Sequence, residues 1–192
     1  MSKNNHNKIY LGGGCFWCIE AAFGTLKGIS SATSGYMGGD LINPTYESVC
    51  QGDSGHAEVV EIIFDVNLIP LESVLDVFFE IHDPTSLNRQ GNDIGSQYRS
   101  IIFCTSKTQY SEVCKYITIL EKNLKFAKPI VTELLCLESE AKNNENDVNK
   151  KDTFFPAEEH HQNYFQNNRE NPYCELVIRN KVSKAKKALT NR

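Results

Sequence analysis

Lys8-Ile9-Tyr10-Leu11-Gly12-Gly13-Gly14-Cys15-Phe16-Trp17-Cys18-Ile19-Glu20 reads as a short apolar strand, a glycine turn and a cysteine at the start of a helix. Glycines reach backbone conformations closed to other residues, so the strand can stop abruptly and leave Cys15 at the first helical turn. There the unpaired N–H groups and a fractional charge of about +0.5 favour an anion. A thiol so placed is expected to ionise more readily than a free cysteine, with its pKa of about 8.5, and the thiolate is the nucleophile. The competing reading is an inert buried thiol, because cysteine is among the residues most often buried. Cys50, Cys104, Cys114 and Cys136, each inside an apolar or helical run, take that reading. An inert core thiol has no need of the turn that precedes Cys15.

Working outward, Phe16, Ile19, Ala22, Phe23 and Leu26 are spaced for a helix running to about Lys27, with Gly28 ending it. Ile29 to Tyr36 has strand character, and Gly35 to Tyr46 is turn chemistry throughout. Thr45 is placed to cap a short helix through Cys50. Ala57 to Phe64 is a strand with Glu58 at its start, and Leu71 to His82 is an amphipathic helix. A second polar loop, Asp83 to Gln97, leads to a strand from Tyr98 to Cys104, a helix from Lys107 to Phe126 and a strand from Ile130 to Leu137. Glu138 to Asp152 is almost all Asn, Lys, Glu and Asp and is expected to be an exposed, mobile insertion. A proline-started helix is expected from Phe154 to Phe165, and the basic tail from Val177 to Arg192 is spaced for a surface helix. The pattern predicts an α+β fold, a two-layer α/β sandwich with a ferredoxin-like split β-α-β core, a mixed sheet and long loops.

A chain of 192 residues, 40% hydrophobic and 23% charged, is sized for one domain and rules out a fibrous repeat or wholesale disorder. Its formal charge of −4 is no nucleic-acid footprint. No apolar run reaches the roughly eighteen residues that span a membrane, and Met1 to Lys8 is polar, so a cytoplasmic protein without a signal peptide is expected. Seven cysteines are an odd number in a chain large enough to need no staples, which fits a reducing compartment. A monomer is expected.

The polar residues from which a site can be drawn are Cys15, Cys18, Tyr46, His56, Glu58, His82, Asp93, Tyr98, Arg99, His160, His161 and Cys174. Cys15 and Cys18 with His160, His161 or Cys174 would make a zinc set, but a single Cys-x-x-Cys without a second knuckle serves redox work equally well. Thiol-disulfide exchange by Cys15 and Cys18 is a second reading, which leaves Tyr46 and Glu58 without a task. Cysteine-histidine hydrolysis, with His56 or His160 as base, is a third.

Gly14-Cys15-Phe16-Trp17, Ser34-Gly35-Tyr36 with Gly38-Gly39, Asn43-Pro44-Thr45-Tyr46, Val49-Cys50, Gly55-His56-Ala57-Glu58-Val59-Val60 and Phe64-Asp65 resemble the A-type peptide-methionine sulfoxide reductases. So do His82-Asp83-Pro84-Thr85, Asn88-Arg89-Gln90-Gly91-Asn92-Asp93-Ile94-Gly95, Gln97-Tyr98-Arg99-Ser100 and Pro156-Ala157-Glu158, and the resemblance runs from about Lys8 to Cys174. It implies reduction of the S epimer of methionine sulfoxide, free or in proteins, without cofactor or metal and with thioredoxin as reductant. Cys15 would attack the sulfoxide sulfur, Glu58 would supply a proton, Tyr46 and Tyr98 would donate to the oxygen, and Asp93 would help hold this network. Phe16 and Trp17 would form the pocket for the S-methyl group. The sulfenic acid left on Cys15 would pass into a disulfide with Cys174, or with Cys18, which stands where many members carry glycine.

Overall fold

A computed structural model of the chain describes residues 6–138 and 150–190. Apolar residues alternate along the first strand, β1 (His6–Gly12), so that Ile9 and Leu11 are buried on one face and Tyr10 on the other. After it come α1 (Phe16–Gly24), β2 (Ile29–Met37), α2 (Tyr46–Cys50), β3 (Ala57–Asp65) and α3 (Leu71–Ile81). The hairpin β4 (Arg89–Gln90) and β5 (Asp93–Ile94), β6 (Ile101–Cys104), α4 (Lys107–Lys122) and β7 (Glu133–Cys136) follow. The chain continues through β8 (Phe155–Pro156), α5 (Tyr164–Asn167), one π-helical turn over Cys174–Ile178 and α6 (Arg179–Thr190).

Six strands form one sheet in the order β7-β6-β1-β3-β2-β8, antiparallel except where β7 lies parallel to β6. Strand β3 is inserted between β1 and β2, with α1 and α3 on one face, so β1-α1-β2 is the expected split β-α-β unit and the fold is ferredoxin-like. Val60, Ile62 and Phe64 of β3 and Ile102 and Cys104 of β6 face the helices. Val59, Ile101 and Phe103 face the other way, against Leu135, Leu137 and Phe154. The two-residue period that points Val60 at the helices points Glu58 there too, at the edge where β1 ends and α1 begins.

Several boundaries differ from the sequence expectation, each for a local reason. Helix α1 stops at Gly24, where the Thr25 hydroxyl turns back to the Ala22 carbonyl at 3.1 Å. Helix α4 ends at Lys122, before Leu124 takes a left-handed φ of 51°. The expected strand at Tyr98 begins at Ile101, because Ser96–Tyr98 winds into a 3-10 turn, and the strand expected over Ile130 to Leu137 narrows to Glu133–Cys136. The proline-started helix after Phe154 is replaced by strand β8, which pairs with Gly35 and Tyr36. Proline lacks an N–H and so suits an edge strand, and only glycine at 35 lets β8 approach: a Cβ there would lie 2.4 Å from the Phe154 ring and 2.5 Å from the Phe155 carbonyl oxygen.

Thr45 caps α2 as expected, accepting from the Ser48 N–H at 3.3 Å while the Ser48 hydroxyl oxygen accepts the Thr45 N–H at 2.9 Å. Of the insertion expected over Glu138 to Asp152, residues 139–149 lie outside the described residues. The basic tail does form a helix, and it is more than a surface one: Ile178, Val182 and Ala185 are buried against α1 and α3. No described helix is long and apolar enough to cross a membrane.

Candidate active site

The turn before α1 is shaped by what its glycines leave room for. Gly14 has φ +91°, and a Cβ there would fall 2.5 Å from the Gln90 side chain. Its N–H donates to the Tyr98 carbonyl at 3.1 Å, which ties the turn to the segment bearing Tyr98. The space a Gly13 Cβ would need, 2.8 Å away, holds the His82 ring. His82 is buried, which lowers its pKa to about 4 and keeps it neutral. Its Nδ1–H donates to the Phe78 carbonyl at 2.6 Å, so Nε2 accepts from the Ser100 hydroxyl at 2.8 Å. The histidine therefore supports the turn and is no base.

Cys15 caps the start of α1, its carbonyl accepting the Cys18 N–H at 3.1 Å, and is 9% exposed. Its thiol shares hydrogen bonds with Cys18 and Tyr173, and the Cys18 sulfur lies 3.5 Å from the Tyr173 hydroxyl. Burial, the hydrogen bond with Cys18 and the charge of Glu58 push the Cys15 thiol well up, the reverse of the direction expected from the helix start alone. The lowered member of the pair is Cys18: its hydrogen bond with Cys15 brings it to about 7, against its burial and with help from the Lys181 ammonium. The two thiols are thus driven apart, Cys15 upward and Cys18 downward. Cys174 is fully buried and lies within the field of Cys18.

Glu58 is 1% exposed, and one oxygen accepts the Phe16 N–H at 2.9 Å, beside Cys15. Burial raises its pKa to about 8; the Phe16 N–H opposes the rise, and the charges of Asp93 and Cys18 add to it. A carboxyl with that pKa carries a proton at neutral pH. Tyr46 and Tyr98 are half-buried within the field of Glu58, and burial pushes both phenols up, so they remain hydrogen-bond donors. Asp93 is half-buried and also raised by burial, with Lys181 opposing. Glu158 fastens this side together: it accepts the Tyr46 N–H at 2.8 Å and the Tyr36 hydroxyl at 2.9 Å, and these bonds hold it below the ordinary carboxylate range although burial opposes them.

An aromatic wall adjoins the thiol. Phe16 is fully buried, and Trp17 stacks on Tyr164 with centroids 3.7 Å apart and planes 7° apart. The ring of His161, 4% exposed and lowered by burial, packs 4.5 Å from Tyr46 and 5.6 Å from Trp17. Among the described residues neither of its nitrogens finds a hydrogen-bond partner.

Other sequence candidates lie apart. His56 accepts the Gly39 N–H at 3.2 Å and donates to the Leu41 carbonyl at 2.8 Å, clamping a loop. Arg99 reaches Glu133, the Ser96 carbonyl and the Gly55 carbonyl. His160 is exposed. Of the four cysteines expected to be inert and buried, Cys104 is fully buried and pushed up to about 12 by that burial. Cys114 and Cys136 are only half-buried, and Cys50 is exposed because α2 is short and lies at the surface. Among the described residues no three His, Cys, Asp or Glu side chains come together as a metal ion would require. Tyr36, Glu158, Tyr173 and Lys181 join the site without having been singled out as site residues. The first two stood in Ser34-Gly35-Tyr36 and Pro156-Ala157-Glu158, and Tyr173 directly precedes Cys174.

A profile of the family described as "Peptide methionine sulfoxide reductase" matches residues 7–192. The chain is 46% identical over 179 residues to "Peptide methionine sulfoxide reductase MsrA" of Trichodesmium erythraeum, covering 93% of each chain. It superposes on the crystal structure of Mxr1 from Saccharomyces cerevisiae in reduced form with TM-score 0.76 at 30% identity, covering 90% of this chain and 91% of that one. A structure of Mxr1 in complex with Trx2 shares the fold, with TM-score 0.52 at 22% identity over 82% of this chain and 94% of that one. The chain belongs to the peptide methionine sulfoxide reductase family.

Proposed function

We propose that this chain reduces methionine S-sulfoxide, free or in proteins, with Cys15 as nucleophile and Glu58 as proton donor. The sulfoxide's methyl group rests against Phe16 and Trp17, and its oxygen faces Glu58, Tyr46 and Tyr98. As substrate arrives, Cys15 passes its proton to the Cys18 thiolate and attacks the sulfoxide sulfur as a thiolate. Glu58 gives its proton to the oxygen, and as that hydroxyl passes to the Cys15 sulfur both the sulfur–oxygen bond and the new sulfur–sulfur bond to the substrate break, so methionine leaves. The methionine sulfur is thereby reduced by two electrons and Cys15 is oxidised to a sulfenic acid. Tyr46 and Tyr98 stabilise the oxygen while its negative charge develops, and Asp93 steadies that network.

The hydrogen bond between Cys15 and Cys18 favours Cys18 as the first thiol to condense with the sulfenic acid, releasing water and leaving a disulfide. Cys174, buried within the field of Cys18, would take over that disulfide by exchange. A thioredoxin-type dithiol then restores the thiols, a reading supported by the family and by the Trx2 complex of Mxr1. Dithiol exchange alone would give Glu58 and the two phenols nothing to do. The reading takes the protein to act as a monomer, and a reducing, cytoplasmic setting suits a working thiol.

The observation that carries the reading is the Glu58 carboxyl, buried beside Cys15 and raised to about 8. It is tested by coupling the purified protein to thioredoxin, thioredoxin reductase and NADPH. Methionine S-sulfoxide should drive NADPH oxidation, the R epimer should not, and Cys15→Ser should abolish the signal. Turnover of both epimers alike, or activity in Cys15→Ser, would overturn it.

A further inference from the structure

Three cysteines that the reductase cycle leaves idle, Cys104, Cys114 and Cys136, gather where β6, β7 and α4 meet. Cys104 and Cys136 stand directly opposite each other along the parallel β6–β7 pair. The two-residue period puts both on the helix-covered face: Cys104 belongs to that core and Leu134 packs on it, whereas Phe103 and Leu135 point the other way. Neighbouring strands lie about 4.8 Å apart, inside the roughly 4.4–6.8 Å between α-carbons that a disulfide spans. Cys114 faces the pair from α4, and its thiol shares a hydrogen bond with the Tyr110 hydroxyl.

The two opposed thiols differ in access. Cys104 has no exposed surface, and burial holds its thiol up at about 12, so it stays protonated and closed to a dissolved oxidant. Cys136 is half-buried at the end of β7, the outermost strand, with its Sγ 3.9 Å from the Glu138 carbonyl. A strand hydrogen-bonded on one side only can shift to the separation a disulfide needs at less cost than an inner strand. Cys104 lies opposite Ile9, three residues before Gly12, so roughly 10 Å of strand separates the pair from the glycine turn that leads to Cys15.

We propose that Cys136 and Cys104 form a second redox-active dithiol, in which Cys136 takes an oxygen from hydrogen peroxide and Cys104 closes the disulfide. The Cys136 thiolate attacks one peroxide oxygen, the oxygen–oxygen bond breaks, and the departing hydroxide leaves as water once protonated, with a sulfenic acid on Cys136. The Cys104 sulfur then attacks the Cys136 sulfur, the sulfur–oxygen bond breaks, and the Cys104 proton leaves with that oxygen as a second water. Peroxide is thereby reduced by two electrons to two waters, and two thiols are oxidised to one disulfide. Cys114, engaged by Tyr110, remains a thiol. The inference stands apart from the reductase reading, because it uses none of the residues around Cys15.

The test treats the purified full chain with a few equivalents of hydrogen peroxide, blocks remaining thiols with iodoacetamide under denaturing conditions and maps tryptic peptides by mass. Cleavage after Lys107 and Lys115 leaves the three cysteines on three separate peptides. The Cys104 and Cys136 peptides should appear joined, at a mass two hydrogens below their sum, with Cys114 alkylated, and dithiothreitol should separate them. Cys15→Ser should form the same link. In Cys136→Ser, with folding checked by circular dichroism, Cys104 should stay alkylatable under the same peroxide. Cys104 and Cys136 both recovered alkylated from wild type, a link that runs to Cys114, or a link lost in Cys15→Ser would overturn the proposal. Oxidation of Cys104 in Cys136→Ser would equally overturn it, by removing Cys136 as the point of entry.

Discussion

Glu58→Gln should separate what the site needs from what the fold prefers. The carboxyl's pKa rises from 4.5 to about 8 on burial. At about 1.4 kcal/mol for each tenfold change in proton affinity, keeping this group inside costs on the order of 3 kcal/mol near pH 7 and about 5 kcal/mol above pH 8. The sign follows from the direction: the folded state holds the proton more tightly, so stability is full below about 4.5 and is lost as pH rises through about 8. Glutamine keeps the size and an oxygen for the Phe16 N–H but does not titrate. Burying the amide carries its own cost, which is the same at every pH, so the informative quantity is the change with pH. Urea unfolding followed by circular dichroism at about pH 4, 7 and 9 should find the variant gaining on wild type by several kcal/mol across that range. Turnover should meanwhile drop by roughly 10²- to 10³-fold, as loss of a general acid does. A stability difference flat with pH would refute the buried, raised carboxyl; turnover within about threefold of wild type would refute its role as donor.

Wild-type turnover against pH should be a narrow bell, rising as the Cys15–Cys18 pair loses a proton near 7 and falling as Glu58 loses its own near 8. In Cys18→Ser the rising limb should move to higher pH, which a stopped-flow titration of single turnover would report. Tyr46→Phe and Tyr98→Phe should each lower kcat by about 10- to 100-fold with little change in KM, because the hydroxyls are needed as charge develops on oxygen; a pure KM effect would contradict this. Gly14→Ala should cost on the order of 1–3 kcal/mol in thermal unfolding, since φ is +91° and the new Cβ would meet Gln90 at 2.5 Å.

The fold was legible where its information is local. The two-residue period of Ala57 to Phe64 and the apolar stripe of Leu71 to His82 each point to one face, and the split β-α-β order follows from packing such faces together. Strand β8 was not legible, because it depends on Gly35 lying across the sheet more than a hundred residues earlier in the chain. The site shows the same division. Cys15 at its glycine turn is a local feature, and the family motifs pointed to Glu58, Tyr46 and Tyr98. Position at a helix start points the Cys15 thiol downward, whereas burial and the partner sulfur, neither of them a local feature, push it up. Tyr173 reaches the Cys18 sulfur, and Lys181 acts on it through its charge, because the apolar stripe of Ile178, Val182 and Ala185 docks the tail onto α1 and α3.

The central claim is that the sulfoxide oxygen passes to Cys15. It is met most directly by giving a Cys18→Ser/Cys174→Ser double variant methionine S-sulfoxide without any reductant and weighing the peptide that contains Cys15. One equivalent of methionine should appear together with a mass gain of a single oxygen atom on Cys15. Methionine formed while Cys15 stays an unmodified thiol would contradict the account.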